Sequence, residues 1–392
     1  MGEYTFFGIP ILLWRSILTS TPRHFDWRIG LVTLVMAIGA QSASAQIKLG
    51  QTLDLSGVTS AFSKDFMRGT SAYLTVINNS GGVAGKTLEL ITLDDKFDPE
   101  LTLQNTRKLV DDPAVLGLVG YRGTLNVQKV MPLLAEQKVS LVGTSAGAMS
   151  LRKPVHPYLY HNRASLADEV EVLVNHAELT GITKLAYGYQ DDAFGKDGLT
   201  AFEAAMAKRN LKPVATGPVP RGTTDVTAAA AAIAKAQPQV VIFVGQAKPA
   251  AALIRAIRKN GSAAQFMVTS VISGIHGELG EEAFGISVAQ VVPSPFNPFT
   301  SKLVQDYQTA MKAIGETKFT HNSLEGYLIA RIMVKAIQQA GANPTRAGVH
   351  KALEAMRAED IGGYMVRYSP TDHLGSKFVE INMVRKDGSF AR

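Results

Sequence analysis

The stretch "LVGTSAGAM", Leu141 to Met149, decides how the chain is read. Gly143, Ser145 and Gly147 complete the pattern G-x-S-x-G, the mark of the strained turn that carries a nucleophilic serine in α/β-hydrolases. A strand over Val139 to Val142 leads into it, as that turn requires. Behind it, however, Pro154 and Pro157 break any long helix, and that helix supplies the elbow's geometry and dipole. The HGGG-type oxyanion segment is missing as well. Asp225 and His373 can be nominated as partners, but a chain with 8 histidines always offers one downstream. A serine hydrolase using Ser145 is therefore the remote alternative.

The same composition supports another use. Small residues after the carboxyl end of a parallel strand leave backbone N–H groups open to a ligand, and ligands favour that end of open α/β sheets. "GYRGTLN", Gly120 to Asn126, occupies the equivalent place after the preceding strand. Thr124 is read there as the N-cap of the next helix, where hydroxyl and free amides could hold a carboxylate. Arg122 has no acidic neighbour in sequence and could serve an anion. Two adjacent loops of this kind predict a binding site.

Outward from these loops, short β-type runs alternate with helical ones from Gln46 on. Strands are expected at Ile47 to Leu53, Leu88 to Leu93, Val115 to Val119 and Val139 to Val142. Helices fall between them at Phe66 to Asn78, Leu101 to Val110 and Asn126 to Glu136. The pattern then restarts, with strands at Lys184 to Tyr189, Val214 to Thr216, Val240 to Val244, Gln265 to Thr269 and Ser287 to Val292. Strands joined by helices of this length indicate parallel sheets covered on both faces. Two such sets suggest two doubly wound lobes, with boundaries near His156 to Arg163 and in the proline-rich "VVPSPFNPF" from Val291. Three helices and a β-rich end follow, so the chain leaves the first lobe, builds the second, and returns. The expected division is 46–163 with 293–372 for lobe 1, and 164–292 with 373–392 for lobe 2.

Composition narrows the function. The 392 residues are 46% hydrophobic and 19% charged, a globular balance. The net charge of +7 is scattered, with no basic stripe interleaved with aromatics, which argues against nucleic acid. Arg23 and Arg28 precede the apolar run Ile29 to Ala40, and Ala43-Ser44-Ala45 supplies a cleavage signal, so residues 1–45 read as a signal peptide cut after Ala45. A second apolar patch, Phe6 to Leu13, suggests a start assigned too early. Cysteine is absent, which removes disulfides, thiolate metal sites and a lipid anchor at the cleavage point. "SGGVAGKT", Ser80 to Thr87, lacks the first glycine of a P-loop and runs from helix to strand, the reverse of the required order. The spacing of His156 and His161 does not suit a metal, and the pairs Asp94-Asp95 and Asp191-Asp192 read as solvated loop ends. No metal or cofactor is expected.

This organisation resembles the periplasmic leucine/isoleucine/valine-binding protein family, the type I solute-binding proteins of ABC importers. The likeness rests on "LDLSGVTSAFSKDFMRG", "NNSGGVAGKTLELITLDDKFDP", "LGLVGYRGTLN", "VSLVGTSAGA", "YGYQDDAFGKDGL" and "QVVIFVG". It implies two Rossmann-like lobes joined by a three-strand hinge, closing on a small molecule. Family binding positions fall on Phe62 as an aromatic wall, on Gly123 and Thr124, and on Ser145, Ala146 and Gly147, where a ligand's α-carboxylate would lie. In the second lobe they fall on Asp168, Phe194, Gln246 and Ser270. Relatives usually keep a hydroxyl residue at Gly147, a tyrosine near Gln246, and near Ser270 an acid for the ligand's ammonium. The resemblance thus implies a monomeric, non-catalytic periplasmic receptor for a branched-chain or other hydrophobic amino acid, working with a membrane permease. An aromatic or aliphatic carboxylate is the rival ligand, and a sensor subunit the rival role.

Overall fold

The structure, a computed structural model, describes residues 46–391; the expected signal peptide lies outside the described residues. In chain order the main elements begin β1 (Ile47–Leu53), α1 (Ser60–Asn79), β2 (Leu88–Asp94), α2 (Pro99–Val110), β3 (Val115–Tyr121), α3 (Thr124–Glu136), β4 (Leu141–Thr144) and β5 (Leu159–Tyr160). They continue as α4 (Leu166–Leu179), β6 (Leu185–Asp191), α5 (Ala193–Ala207), β7 (Ala215–Pro220), α6 (Thr227–Lys235), β8 (Val240–Val244), α7 (Ala247–Lys259), β9 (Gln265–Val268), α8 (Ile275–Leu279) and β10 (Ser287–Gln290). The last part holds α9 (Lys302–Ala313), α10 (His321–Gln339), α11 (Arg346–Glu354), β11 (Glu359–Asp360), β12 (Met365–Ser369), β13 (Asp372–Gly375), β14 (Glu380–Val384) and β15 (Phe390–Ala391).

The first sheet has the order β2-β1-β3-β4-β5, with every neighbour parallel. Strands β3 and β4 are buried along their whole length, as parallel strands between two helical layers must be. Leu109, Val130 and Leu134 from α2 and α3 pack one face. Phe66, Met311, Leu328, Ile332 and Leu353, from α1 and α9 to α11, belong to the core on the other. Helix α10 is buried on most of its surface, its polar His321, Ser323 and Glu325 included.

The second sheet runs β15-β14-β10-β9-β8-β6-β7. Its parallel part, β7-β6-β8-β9-β10, repeats the order of the first sheet, and β14 and β15 add antiparallel to its edge. A small antiparallel sheet, β11-β12-β13, completes the molecule. Both large sheets therefore have a switch point beside their first strand, where ligands enter doubly wound folds.

Three segments carry the chain between the two large sheets: residues 161–165, those after β10, and residues 376–379. None of the three is a regular strand. The Tyr364 hydroxyl lies 2.9 Å from the carbonyl of Asn162 and 3.0 Å from that of Val291, touching two of them. Arg163, buried beside them, pairs with Glu169 at 2.9 Å and Glu325 at 3.5 Å. Residues 372 and 373, the expected boundary, fall inside β13, and the third crossing begins after Gly375. No helix of the described residues is long and apolar enough to cross a membrane.

Candidate functional site

A cavity opens where the carboxyl ends of the two large sheets face each other. Its lining comes from the carboxyl ends of the strands and the segments that follow them: after β2 (Phe97), β3 (Arg122, Gly123 and the start of α3, Thr124 to Asn126) and β4 (Ser145, Ala146), and at or after β6 (Gln190, Asp192, Phe194), β7 (Arg221), β8 (Gln246) and β9 (Val271). Of the sequence candidates, Arg122, Gly123, Thr124, Ser145, Ala146, Phe194 and Gln246 thus meet at one place.

The backbone explains the arrangement. Gly123 ends the β3 loop with φ of 86° and is itself the N-cap, so Thr124 is the first helical residue and not the cap expected of it. A Cβ at Gly123 would lie 2.9 Å from the Phe97 ring and 2.7 Å from Asn126 Oδ1, so only glycine lets the ring approach. The Ser145 loop is gripped from behind: Arg152 Nη1 donates to the carbonyls of Ala146 and Ala148, each at 3.1 Å. Ser145 N donates to Tyr121 O at 2.9 Å, tying the loop to its neighbour strand. Met149 N donates to Asp197 Oδ2 at 2.8 Å, so α5 of the second lobe holds the loop's far end.

Arg122 is the dominant electrostatic feature. It is only 4% exposed, and burial pushes its guanidinium down to about 9, with Arg163 nearby adding to the effect. Its Nη2 donates to Gln246 Oε1 at 2.8 Å, a bond from one lobe to the other. Nε and Nη1 have no hydrogen-bond partner, nor do the buried hydroxyls of Thr124 and Ser145. Buried polar groups are normally paired. These four donors, with Asn126 Oδ1 as one unpaired acceptor in the same lining, describe a place for a polar group with more than one oxygen.

Four candidates sit elsewhere. Phe62 does not line the cavity; its ring lies beneath Arg122, with Cζ 3.7 Å from the centroid. Gly147 donates no surface to the cavity; its carbonyl accepts from Leu166 N at 2.7 Å, joining the Ser145 loop to α4. Asp168 closes a capping box, accepting from Ser165 N at 2.9 Å and Ser165 Oγ at 2.6 Å. Ser270 is held by Glu169, which accepts from Ser270 N at 2.7 Å, and by Arg163, which donates to its hydroxyl.

Sequence reading missed Phe97, Gln190, Asp192, Arg221 and Val271. Asp192 is no solvated loop end: it caps α5 and receives Gln190 Nε2 at 2.5 Å. Asp95 is likewise buried, accepting from Thr52, Phe97 N and Thr102. Phe97 has left-handed backbone with φ of 62°. The nominated triad does not assemble, since the His373 ring bonds the carbonyls of His156 and Leu159. Among the described residues no cluster of metal ligands occurs.

Comparison with known proteins agrees with this architecture. A family model described as periplasmic binding protein matches residues 46–389. The Leu/Ile/Val-binding protein homolog 3 of Brucella melitensis is 25% identical over 354 residues, covering 89% of this chain and 95% of its own. The crystal structure of a possible leucine/isoleucine/valine-binding protein from Rhodopirellula baltica superposes with a TM-score of 0.85 at 30% identity, over 90% of this chain and 98% of that one. A substrate-binding periplasmic protein from Ralstonia solanacearum gives a TM-score of 0.82 at 29% identity, over 88% and 99%.

Proposed function

The chain belongs to the periplasmic binding protein family, and from that premise we propose that it is the periplasmic receptor of an ABC importer for a small carboxylate. The observation that carries this reading is that Arg122, Thr124 and Ser145 all line one cavity between the lobes and each has buried side-chain polar atoms without a partner: Nε and Nη1, Oγ1, and Oγ. A carboxylate supplies two oxygens and about four acceptor positions for them. Hydrogen bonds to a charged group are each worth about 1.5–3 kcal/mol, enough to set orientation and affinity without any reacting group.

Closure follows from the same geometry. Ligand bound at the Arg122 and Ser145 loops of the first lobe also meets Gln190, Phe194 and Gln246 of the second, and so favours the closed arrangement over the open one. A membrane permease would recognise that closed form and receive the ligand from it. Ser145 acts here as a hydrogen-bonding group and not as a nucleophile.

The test is calorimetric titration of the purified protein with a panel of small carboxylates, amino acids included, alongside small-angle scattering. Micromolar or tighter binding of at least one, with a fall in radius of gyration, supports the receptor reading. Silence across the panel, or ester hydrolysis lost in Ser145→Ala, defeats it.

A further inference from the structure

The cavity offers a cation and hydroxyls at one end, and its acids are all engaged. Among the described residues Asp192 is the only acid lining it. Asp192 Oδ1 accepts from Phe194 N at 3.0 Å and Gly195 N at 3.1 Å, while Oδ2 accepts from Gln190 at 2.5 Å and faces Arg221 Nε at 3.4 Å. Three of its acceptor positions are filled and its charge is paired with Arg221.

The acids around the cavity are occupied in the same way. Asp54 accepts from Gly57 N, Thr59 N and the Thr59 hydroxyl, and Asp95 from two hydroxyls and Phe97 N. Glu325 takes Asn162 and Arg163, and Glu169 takes Arg163 and Ser270 N. Asp168 engages Oδ2 in its capping box and does not line the cavity. An ammonium group brought into this cavity would be desolvated beside the Arg122 cation with no free carboxylate in the lining, a costly placement.

Beside the amides of Asn126, Gln190 and Gln246, the lining has an apolar part made by Phe97, Leu125, Phe194 and Val271. Phe97 is held by Arg221, which donates to its carbonyl at 3.1 Å and places its guanidinium 4.9 Å over the ring. A bulky residue kept in left-handed backbone from both sides is a strained element, of the kind that collects at ligand clamps.

We infer that the ligand is a hydrophobic monocarboxylate without an ammonium group, its carboxylate on Arg122, Thr124 and Ser145 and its apolar body against Phe97, Phe194 and Val271. The inference rests on the receptor reading and narrows it. Arg122 replaces the paired charges that a zwitterion needs with a single one, and the absent countercharge excludes amino acids by desolvation, not by shape. A parallel two-point grip on a guanidinium requires Nη2, so such a ligand competes with Gln246 for that nitrogen.

Matched probes test this directly: 3-phenylpropanoate against phenylalanine, and 4-methylpentanoate against leucine, each pair differing by the ammonium. Calorimetry of the protein, refolded from denaturant to strip carried-over ligand, is expected to show each acid bound at least about tenfold more tightly than its amino acid. Arg122→Gln, with its circular dichroism unchanged, is expected to lose most of the acid's affinity and to leave the amino acid's weak binding alone. If phenylalanine or leucine binds as tightly as its acid, the inference falls while the receptor reading stands. If none of the four binds, the inference falls, and the wider panel of carboxylates decides whether the receptor reading falls with it.

Discussion

The guanidinium of Arg122 rests on the ring of Phe62, Cζ 3.7 Å from the centroid, where a buried arginine ordinarily has a carboxylate. The π face attracts the cation without neutralising it, at about 0.5–2 kcal/mol. The charge therefore stays available to a ligand. Phe62→Leu is expected to weaken binding of 3-phenylpropanoate roughly two- to thirtyfold, and Phe62→Trp to keep it. Equal affinity in all three forms would remove Phe62 as the residue that positions Arg122.

Thr124→Ala and Ser145→Ala make a sharper pair, because neither hydroxyl has a protein partner to lose. Each is expected to weaken ligand binding about ten- to hundredfold, the worth of one hydrogen bond to a charged group of about 1.5–3 kcal/mol. The melting temperature of the ligand-free protein should not fall. A fall of several degrees with affinity unchanged would show that these hydroxyls serve the fold.

Asp168 separates the two roles from the other side. Its carboxylate closes the capping box of α4 with Ser165. Asp168→Ala is expected to cost about 0.5–2 kcal/mol of stability in denaturant titration and to leave ligand affinity within twofold. A tenfold loss of affinity would restore it as a ligand contact.

Acid should unfold the protein through its buried histidines. Burial holds His321 down to about 3 and His161 well below the ordinary value of 6.5. The unfolded chain takes up these protons near 6.5 and the folded chain does not, so stability rises with pH across the window from about 3 to 6.5 for His321. Moving from neutral pH to 5 should cost about 2 kcal/mol for His321, and His161 acts in the same direction. His321→Gln should flatten the pH dependence of the unfolding free energy by nearly one proton; an unchanged slope would place His321 outside it.

The fold was legible because the chain writes its layers plainly. Val240–Val244 was read to the residue, being an apolar run closed by Gly245 and buried at every position. Helix α1 begins six residues before its expected start, since its first turns bury polar groups. Asp65 there accepts from Thr320 at 2.5 Å, a contact without apolar period. The Arg122 and Ser145 loops were found from their place after strands. Applied to β2, β6 and β7, the same rule would have found Phe97, Gln190, Asp192 and Arg221. Ser165 and Asp168 carry the spacing of a capping box, a local signal that was available. Nothing in the sequence tells that Gly147 faces Leu166, where an added Cβ would lie 2.9 Å from the backbone nitrogen.

Tyr364 has a mechanical consequence. Its one hydroxyl touches carbonyls on two of the three crossings, at 2.9 and 3.0 Å. Segments pinned together turn together, which leaves the lobes a single axle in place of a loose gimbal. Such a joint has few resting angles. Occupancy is then reported to the outside as a click between two positions, with the same outline for every cargo that completes the turn.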